Sequence, residues 1–412
     1  MARTKSPFIC GGPVPPGHFV GREEQVDAIM GQLTGPAHGG SAISGERRVG
    51  KTSLLHYLVS PQAAQDWDVP LDRWHFILLD CQQTDMSCSE IRFWQQVFDA
   101  IAAAVPGELA GDARALAHSD EVEEWALGHF FDRVAREDRL VILLLDEFEA
   151  VTEQVDRHNP TLLYQLRQLL NRQQRGMALI TASREPVEVL CHDIVFRGSP
   201  FYNNLLSVWL PPFGDGEIED LLARAAPSFS ETEAAYIVRI GGRHPLLLQL
   251  AADEMYRARS RLRPGRALNL AAVGRSFERR ARQHYRDIWD DMPPQDRLLL
   301  SLAALRSFHQ VVGGLDYEVR FIDALLARFN RPLRTLTERG FLTADSPPLV
   351  LSSVGQWWLV EEITGDEKSR TGWEQLLSAQ ELTRIEGIVQ AVQVSQQGLR
   401  ALIRWAVEWP GA

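Results

Sequence analysis

Two hydrophobic patterns alternate along the first half of the chain. Short, mainly apolar runs begin at Ser41 and recur at 74–82, 139–151, 177–185 and 205–213. Between them lie segments whose apolar residues fall three and four apart, such as Val26, Ile29, Met30 and Leu33, with further helical segments at 88–105, 120–136 and 161–174. Apolar runs of this length predict strands buried on both faces, and the helical spacing predicts amphipathic helices. Strand and helix in alternation predict a parallel sheet with helices on both sides. After residue 213 the strands stop. Residues 214–290 read as helices, the last a long, arginine-rich one at 271–289. Residues 292–360 read as three amphipathic helices followed by two short strands around Pro347-Pro348, the layout of a winged helix. A polar linker at 361–369 then leads to two or three amphipathic helices within 373–409, carrying Trp373, Trp405 and Trp409.

The expected organisation is therefore an extended lead-in at 1–17, an α/β core with a parallel sheet at 18–213, a helical lid at 214–291, a winged helix at 292–360 and a helical C-terminal adaptor at 361–412. The length of 412 residues suits two to four domains. A formal charge of −11 argues against broad nucleic-acid binding through charge, though not against a local basic face. No apolar run reaches the length of a membrane-spanning helix, and the N-terminus lacks the apolar stretch of a signal peptide. Cys10, Cys81, Cys88 and Cys191 are scattered without metal-site spacing. They suit a reducing cytoplasm and neither a zinc site nor a disulfide framework.

The chemistry concentrates at Gly45–Thr52, which fits Gly-x-x-x-x-Gly-Lys-Ser/Thr without a mismatch. Glycines at this spacing let the backbone wrap a phosphate with its N–H groups inward, at φ values other residues avoid, and the helix that follows aims its positive end at the same anion. Lys51 is expected to reach the β- and γ-phosphates of ATP, and the Thr52 hydroxyl to ligate Mg²⁺. Of 43 basic residues only Lys5, Lys51 and Lys368 are lysines. A chain that writes nearly every cation as arginine keeps a compact ammonium here, where a guanidinium does not fit. A second constellation is Asp146-Glu147 at the end of the most apolar run. By position Asp146 takes the Mg²⁺ role and Glu147 that of the base activating the attacking water, with Glu149 as the fallback. Arg184 ends the next run and would reach the same sheet edge, where a cation can sense the γ-phosphate. Phe19 and Val20, just ahead of this loop, supply one wall of an adenine pocket.

FVGREE at 19–24, GERRVGKTS at 45–53, LVILLLDEFE at 140–149, ITASR at 180–184 and GGRHPLLLQL at 241–250 together resemble the STAND class of AAA+-related signal-transduction ATPases, over about residues 18–360. The resemblance implies an ATP-dependent molecular switch in which lid and winged helix change position with nucleotide state. It implies a nucleotide site of Phe19, Val20, Gly45, Arg47, Arg48, Val49, Gly50, Lys51, Thr52, Ser53 and the lid residue Pro245, although one extra residue separates Gly242 from Pro245. Neither the repeat-built sensor nor the N-terminal effector of large members is expected, so the output is expected through the C-terminal tail, docking a partner protein or a second copy. The alternative is a DNA-binding AAA+ ATPase gripping DNA with Arg331, Arg334 and Arg339 of the third winged-helix helix.

Overall fold

The computed structural model describes residues 5–83, 89–158, 160–172, 176–196, 198–263, 266–312, 319–343, 350 and 352–408. The chain divides into one unit of Pro13–Leu210 and another of Met1–Gly12 with Pro211–Ala412.

In the first unit the apolar runs become β1 (Gly40–Ser44), β2 (Trp74–Asp80), β3 (Leu140–Asp146), β4 (Met177–Ser183) and β5 (Leu205–Trp209). They form one sheet in the order β2-β3-β4-β1-β5, every pair parallel. The helices are α1 (Glu23–Thr34), α2 (Lys51–Leu58), α3 (Pro61–Asp66), α4 (Glu90–Ala104), α5 (Gly107–Ala117), α6 (Glu124–Arg136), α7 (Glu149–Gln154), α8 (Thr161–Leu170) and α9 (Val187–Leu190). The strand period of two divides β3 between two cores. Val141, Leu143 and Leu145 join the core of α4, α6 and α8, while Leu140, Ile142 and Leu144 join that of α1 and α2. Burial on both faces is why these strands are apolar throughout.

Within the run 139–151, β3 ends at Asp146, where the sequence put the strand end, and α7 begins at Glu149. Glu147 turns the chain there with a positive φ of 51°, and the Phe148 N–H bonds the Ala182 carbonyl at 2.9 Å. The helix expected over 120–136 starts only at Glu124, and α5 occupies a stretch given no element. Its inward face is Leu109, Ala110, Ala113 and Ala117, a stripe of mostly small residues that carries little periodic signal.

In the second unit the helices are α10 (Asp215–Leu222), α11 (Glu231–Gly241), α12 (Pro245–Ser260), α13 (Leu270–Asp290), α14 (Pro294–Val312), α15 (Val319–Arg328), α16 (Asn330–Glu338), α17 (Ser353–Gly365), α18 (Ala379–Val394) and α19 (Gln396–Val407). Of the expected hairpin, an antiparallel bridge pairs Leu342 with Val350, and most of the segment between lies outside the described residues. The first part of the lead-in, up to Gly12, is held by this unit. Phe8 stacks on Phe229 with centroids 5.8 Å apart, and the Ile9 N–H donates to Gln249 Oε1 at 2.8 Å.

Residues 361–369 are not a free connector. Helix α17 continues to Gly365, and Glu361 and Glu362 pair with Arg282 and Arg286 of α13. The tail that follows folds against the same unit. Ile385, Ile388, Val389, Val392 and Leu402 are buried. Tyr236 Oη donates to the Val407 carbonyl at 2.6 Å, and Ser353 Oγ to that of Ala406 at 2.8 Å. Most of the apolar residues that suggested an outside partner are thus covered within the chain, while Leu399, Ile403 and Trp405 are half-buried and Val394 is exposed. Trp405 lies under the Arg239 guanidinium, and Trp409 is outside the described residues.

Candidate functional site

Parallel pairing brings the C-terminal ends of β1, β3 and β4 to one edge, with Ser44 in register with Ser183 and Asp80 with Asp146. The loop after β1, the acids after β3 and Arg184 after β4 therefore converge from three distant parts of the sequence.

The loop is closed at its start by Gly45 N–H donating to the Arg184 carbonyl at 3.2 Å. Gly45 and Gly50 are needed for different reasons. Gly50 has φ 111°, with nothing within 4 Å of where a Cβ would sit, so it faces open space in a conformation other residues rarely adopt. Gly45 does not have a positive φ. A Cβ on it would meet Val49 Cγ1 at 3.0 Å and the Leu210 carbonyl oxygen at 3.1 Å, so close packing excludes a side chain. Arg48, at φ 61°, provides the other left-handed turn of the loop. Arg47 and Arg48 are exposed, and Val49 is buried under the loop.

Helix α2 starts at Lys51, which is only 6% exposed. Its Nζ donates to the carbonyls of Gly45 at 2.8 Å and Glu46 at 3.1 Å. Desolvation lowers its pKa, opposed by the charges of Glu147, Glu149 and Asp146. Thr52 Oγ1 donates to Asp146 Oδ2 at 2.6 Å, and Asp146 Oδ1 accepts the Glu147 N–H at 3.0 Å. Burial raises the Asp146 pKa, with the Thr52 hydrogen bond working against it. The Glu147 pKa is also raised, first by desolvation and then by the charge of Glu149. Ser53 Oγ accepts the Val14 N–H at 2.9 Å. Phe19 stacks on Tyr57 with centroids 4.6 Å apart, and Val20 is half-buried beside it in the chain. Pro245 lies in the second unit as the first residue of α12, where its missing N–H leaves no bond unmade.

Arg22 and Gln82 at this edge escaped the sequence reading of site roles, and Glu149 was read only as a fallback base. Arg22 is buried at 3% exposure and donates from Nη2 to the Val49 carbonyl at 3.3 Å, beneath the loop. Gln82 donates to Glu147 Oε2 at 3.3 Å. Glu149 is 4% exposed and receives Arg184 Nε at 3.0 Å. Nothing in local pattern marks an arginine after a glycine, or an acid one turn past a strand, as buried.

A parallel sheet whose edge gathers a phosphate-loop lysine, a hydroxyl bonded to a strand-end carboxylate and a following glutamate is that of a P-loop ATPase. Residues 18–180 match the family model of the AAA ATPase domain, so the chain carries an AAA-type ATPase domain and is an ATPase. No curated protein matches it. Among solved structures it is similar to the Walker-type ATPase PABY2304 of Pyrococcus abyssi, at 15% identity and TM-score 0.53, over 86% of this chain and 99% of that one. It is also similar to the Aeropyrum pernix ORC2 protein in ADPNP–ADP complexes, at 12% identity and TM-score 0.48, over 91% and 95%. The Aeropyrum pernix ORC1 protein in complex with DNA follows, at 14% identity and TM-score 0.42, over 84% and 93%. At these identities the likeness is one of fold.

Proposed function

We propose that the protein is an ATP-driven molecular switch of the STAND type, in which binding and hydrolysis at the sheet edge shift the helical unit between two positions. The observation that carries the nucleotide site is the hydroxyl of Thr52 bonded to Asp146 at 2.6 Å, beside the buried ammonium of Lys51. Among the described residues no three or more His, Cys, Asp or Glu side chains are grouped to hold a metal. Mg²⁺ is usually held by one or two protein oxygens together with water and phosphate. Thr52 and Asp146 would hold it, and it would neutralise charge on the transferred phosphoryl group.

In this reading the loop from Gly45 to Ser53, with Arg47, Arg48, Val49 and Gly50, wraps the phosphates. Lys51 leaves the carbonyls it now holds to meet the β- and γ-oxygens. Phe19 and Val20 face the adenine, and Pro245 brings the lid to the nucleotide. Glu147, whose raised pKa marks a desolvated carboxylate, takes a proton from the attacking water. Arg184 senses the terminal phosphate, which is the differential contact a two-state switch requires.

The C-terminal tail moves with the helical unit here. Docking of a partner protein or a second copy through the tail draws little support from its apolar residues, most of which are turned inward, although Val394 is exposed. DNA engagement through α16 keeps two of its three arginines: Arg331 is exposed, and Arg334 stays exposed while pairing with Glu338, whereas Arg339 pairs with Asp296 and is largely buried. Small-angle scattering of the full chain with ADP and with a slowly hydrolysed ATP analogue tests the switch, with Lys51→Ala as control. Two distinct profiles are expected from the wild type and one from the variant. Identical wild-type profiles at saturating nucleotide would remove the switch, and salt-dependent binding to a DNA duplex would favour the DNA reading.

A further inference from the structure

The register between β3 and β4 gives Glu149 a neighbour that its position in the sequence does not suggest. The bond from Phe148 N–H to the Ala182 carbonyl, 2.9 Å, ties the exit of β3 to the end of β4. Helix α7 therefore begins beside Arg184. Glu149 Oε1 accepts the Arg184 Nε at 3.0 Å and the Arg184 main-chain N–H at 3.3 Å. The Arg184 carbonyl in turn accepts the Gly45 N–H at 3.2 Å. A single carboxylate thus holds both the side chain and the main chain of the residue that closes the start of the phosphate loop.

Stability does not account for a glutamate here. Its second oxygen, Oε2, is buried and accepts no hydrogen bond among the described residues. A buried carboxylate with an unmet oxygen is costly, and a neutral side chain of similar shape is often as stable or more so. Asp146 and Glu147 already crowd the same edge with negative charge, so a third acid adds repulsion. What the charge does supply is direction. A guanidinium held at Nε by a buried acid is confined far more tightly than one left to solvent.

We propose that Glu149 is a positioning residue. It fixes the Arg184 guanidinium, and through the Arg184 main chain the first turn of the phosphate loop, in the arrangement that receives the terminal phosphate of ATP. The inference rests on the role given to Arg184 under the proposed function. It also removes Glu149 as the alternative base, since one oxygen is committed to Arg184 and the other is buried.

The test uses the full-length chain and measures ATP turnover, affinity for ADP and for a slowly hydrolysed ATP analogue, and melting temperature. The variants are Glu149→Gln, Glu149→Asp, Arg184→Ala and the double variant Glu149→Gln/Arg184→Ala. Glu149→Gln is expected to lower kcat by roughly tenfold or more and to narrow the preference for the ATP analogue over ADP, because supporting contacts of this kind are worth that much. ADP affinity and melting temperature should stay at or above wild type. Glu149→Asp, which keeps the charge on a shorter arm, should fall between. The double variant should be no worse than Arg184→Ala alone, since both act through one guanidinium. Wild-type turnover in Glu149→Gln beside an impaired Arg184→Ala would overturn the inference, as would fully additive losses. So would a Glu149→Gln protein that melts early and loses ADP in parallel, the mark of a purely structural residue. Wild-type turnover in Arg184→Ala would instead overturn the role of Arg184 itself.

Discussion

Thr52 and Asp146, far apart in sequence, are joined by a hydrogen bond of 2.6 Å from hydroxyl to carboxylate. One lies in the first turn of the helix after β1 and the other closes β3, with β4 lying between those strands in the sheet. The bond holds together the two oxygens that a divalent cation would take in the proposed site. It also favours the ionised form of Asp146 against the pull of burial.

Loss of either oxygen should raise the Mg²⁺ concentration needed for turnover. Thr52→Ala and Asp146→Ala are each expected to shift the half-saturating Mg²⁺ upward by about tenfold or more, the usual effect of disturbing a metal's partners. The double variant should shift it by less than the product of the two, because the residues act as one unit. A titration of ATPase rate against Mg²⁺ checks this, and independent, multiplying shifts would separate the two residues.

Glu147→Gln should abolish turnover while ATP still binds, which a thermal shift by Mg-ATP beside an ATPase assay resolves. The same variant should also reveal a cost in stability. The folded-state pKa of Glu147 is raised above the ordinary 4.5 by desolvation and by Glu149. The folded protein therefore holds this proton more tightly than the unfolded chain, and the glutamate loses stability as pH rises through that window. Glu147→Gln should be more stable than wild type at neutral pH, with the gain disappearing on acidification to below pH 4.5. An equal difference at every pH would contradict the assignment.

Arg22 supports the loop from below through the Val49 carbonyl. Arg22→Ala removes a charge-assisted hydrogen bond and a buried stem, and is expected to cost about 2 kcal/mol of stability. Weaker ATP binding should accompany the loss, because the loop backbone that meets the phosphates is no longer held. Urea unfolding with and without Mg-ATP measures both effects. Normal ATP affinity in a destabilised variant would confine Arg22 to packing.

The tail gives the sharpest structural test. Leu402 is fully buried, so Leu402→Ala should cost about 2–5 kcal/mol. Truncation after Asp366 strips partners from Tyr236 and Ser353 and should leave a protein that aggregates or melts far below wild type. A soluble truncated protein with wild-type melting would restore the tail as an independent adaptor.

Local pattern was enough for the parallel sheet. A strand buried on both faces must be apolar at nearly every position, and the phosphate loop needs its glycines and lysine at set spacing, so both leave marks in the sequence itself. The same logic located Asp146, Glu147 and Arg184 as strand ends at one edge of the sheet. What the sequence could not decide was which of these ends touch. The pairing of Glu149 with Arg184 depends on the register of β3 against β4, and the burial of Arg22 on where α1 enters beneath the loop. Neither changes the composition or periodicity of its own segment. The tail was ambiguous for a related reason. An apolar stripe on a helix states that it must be covered, and only the tertiary structure decides by what. Here the cover is the chain's own helices, because the carbonyls at the end of α19 find their donors on Tyr236 and Ser353.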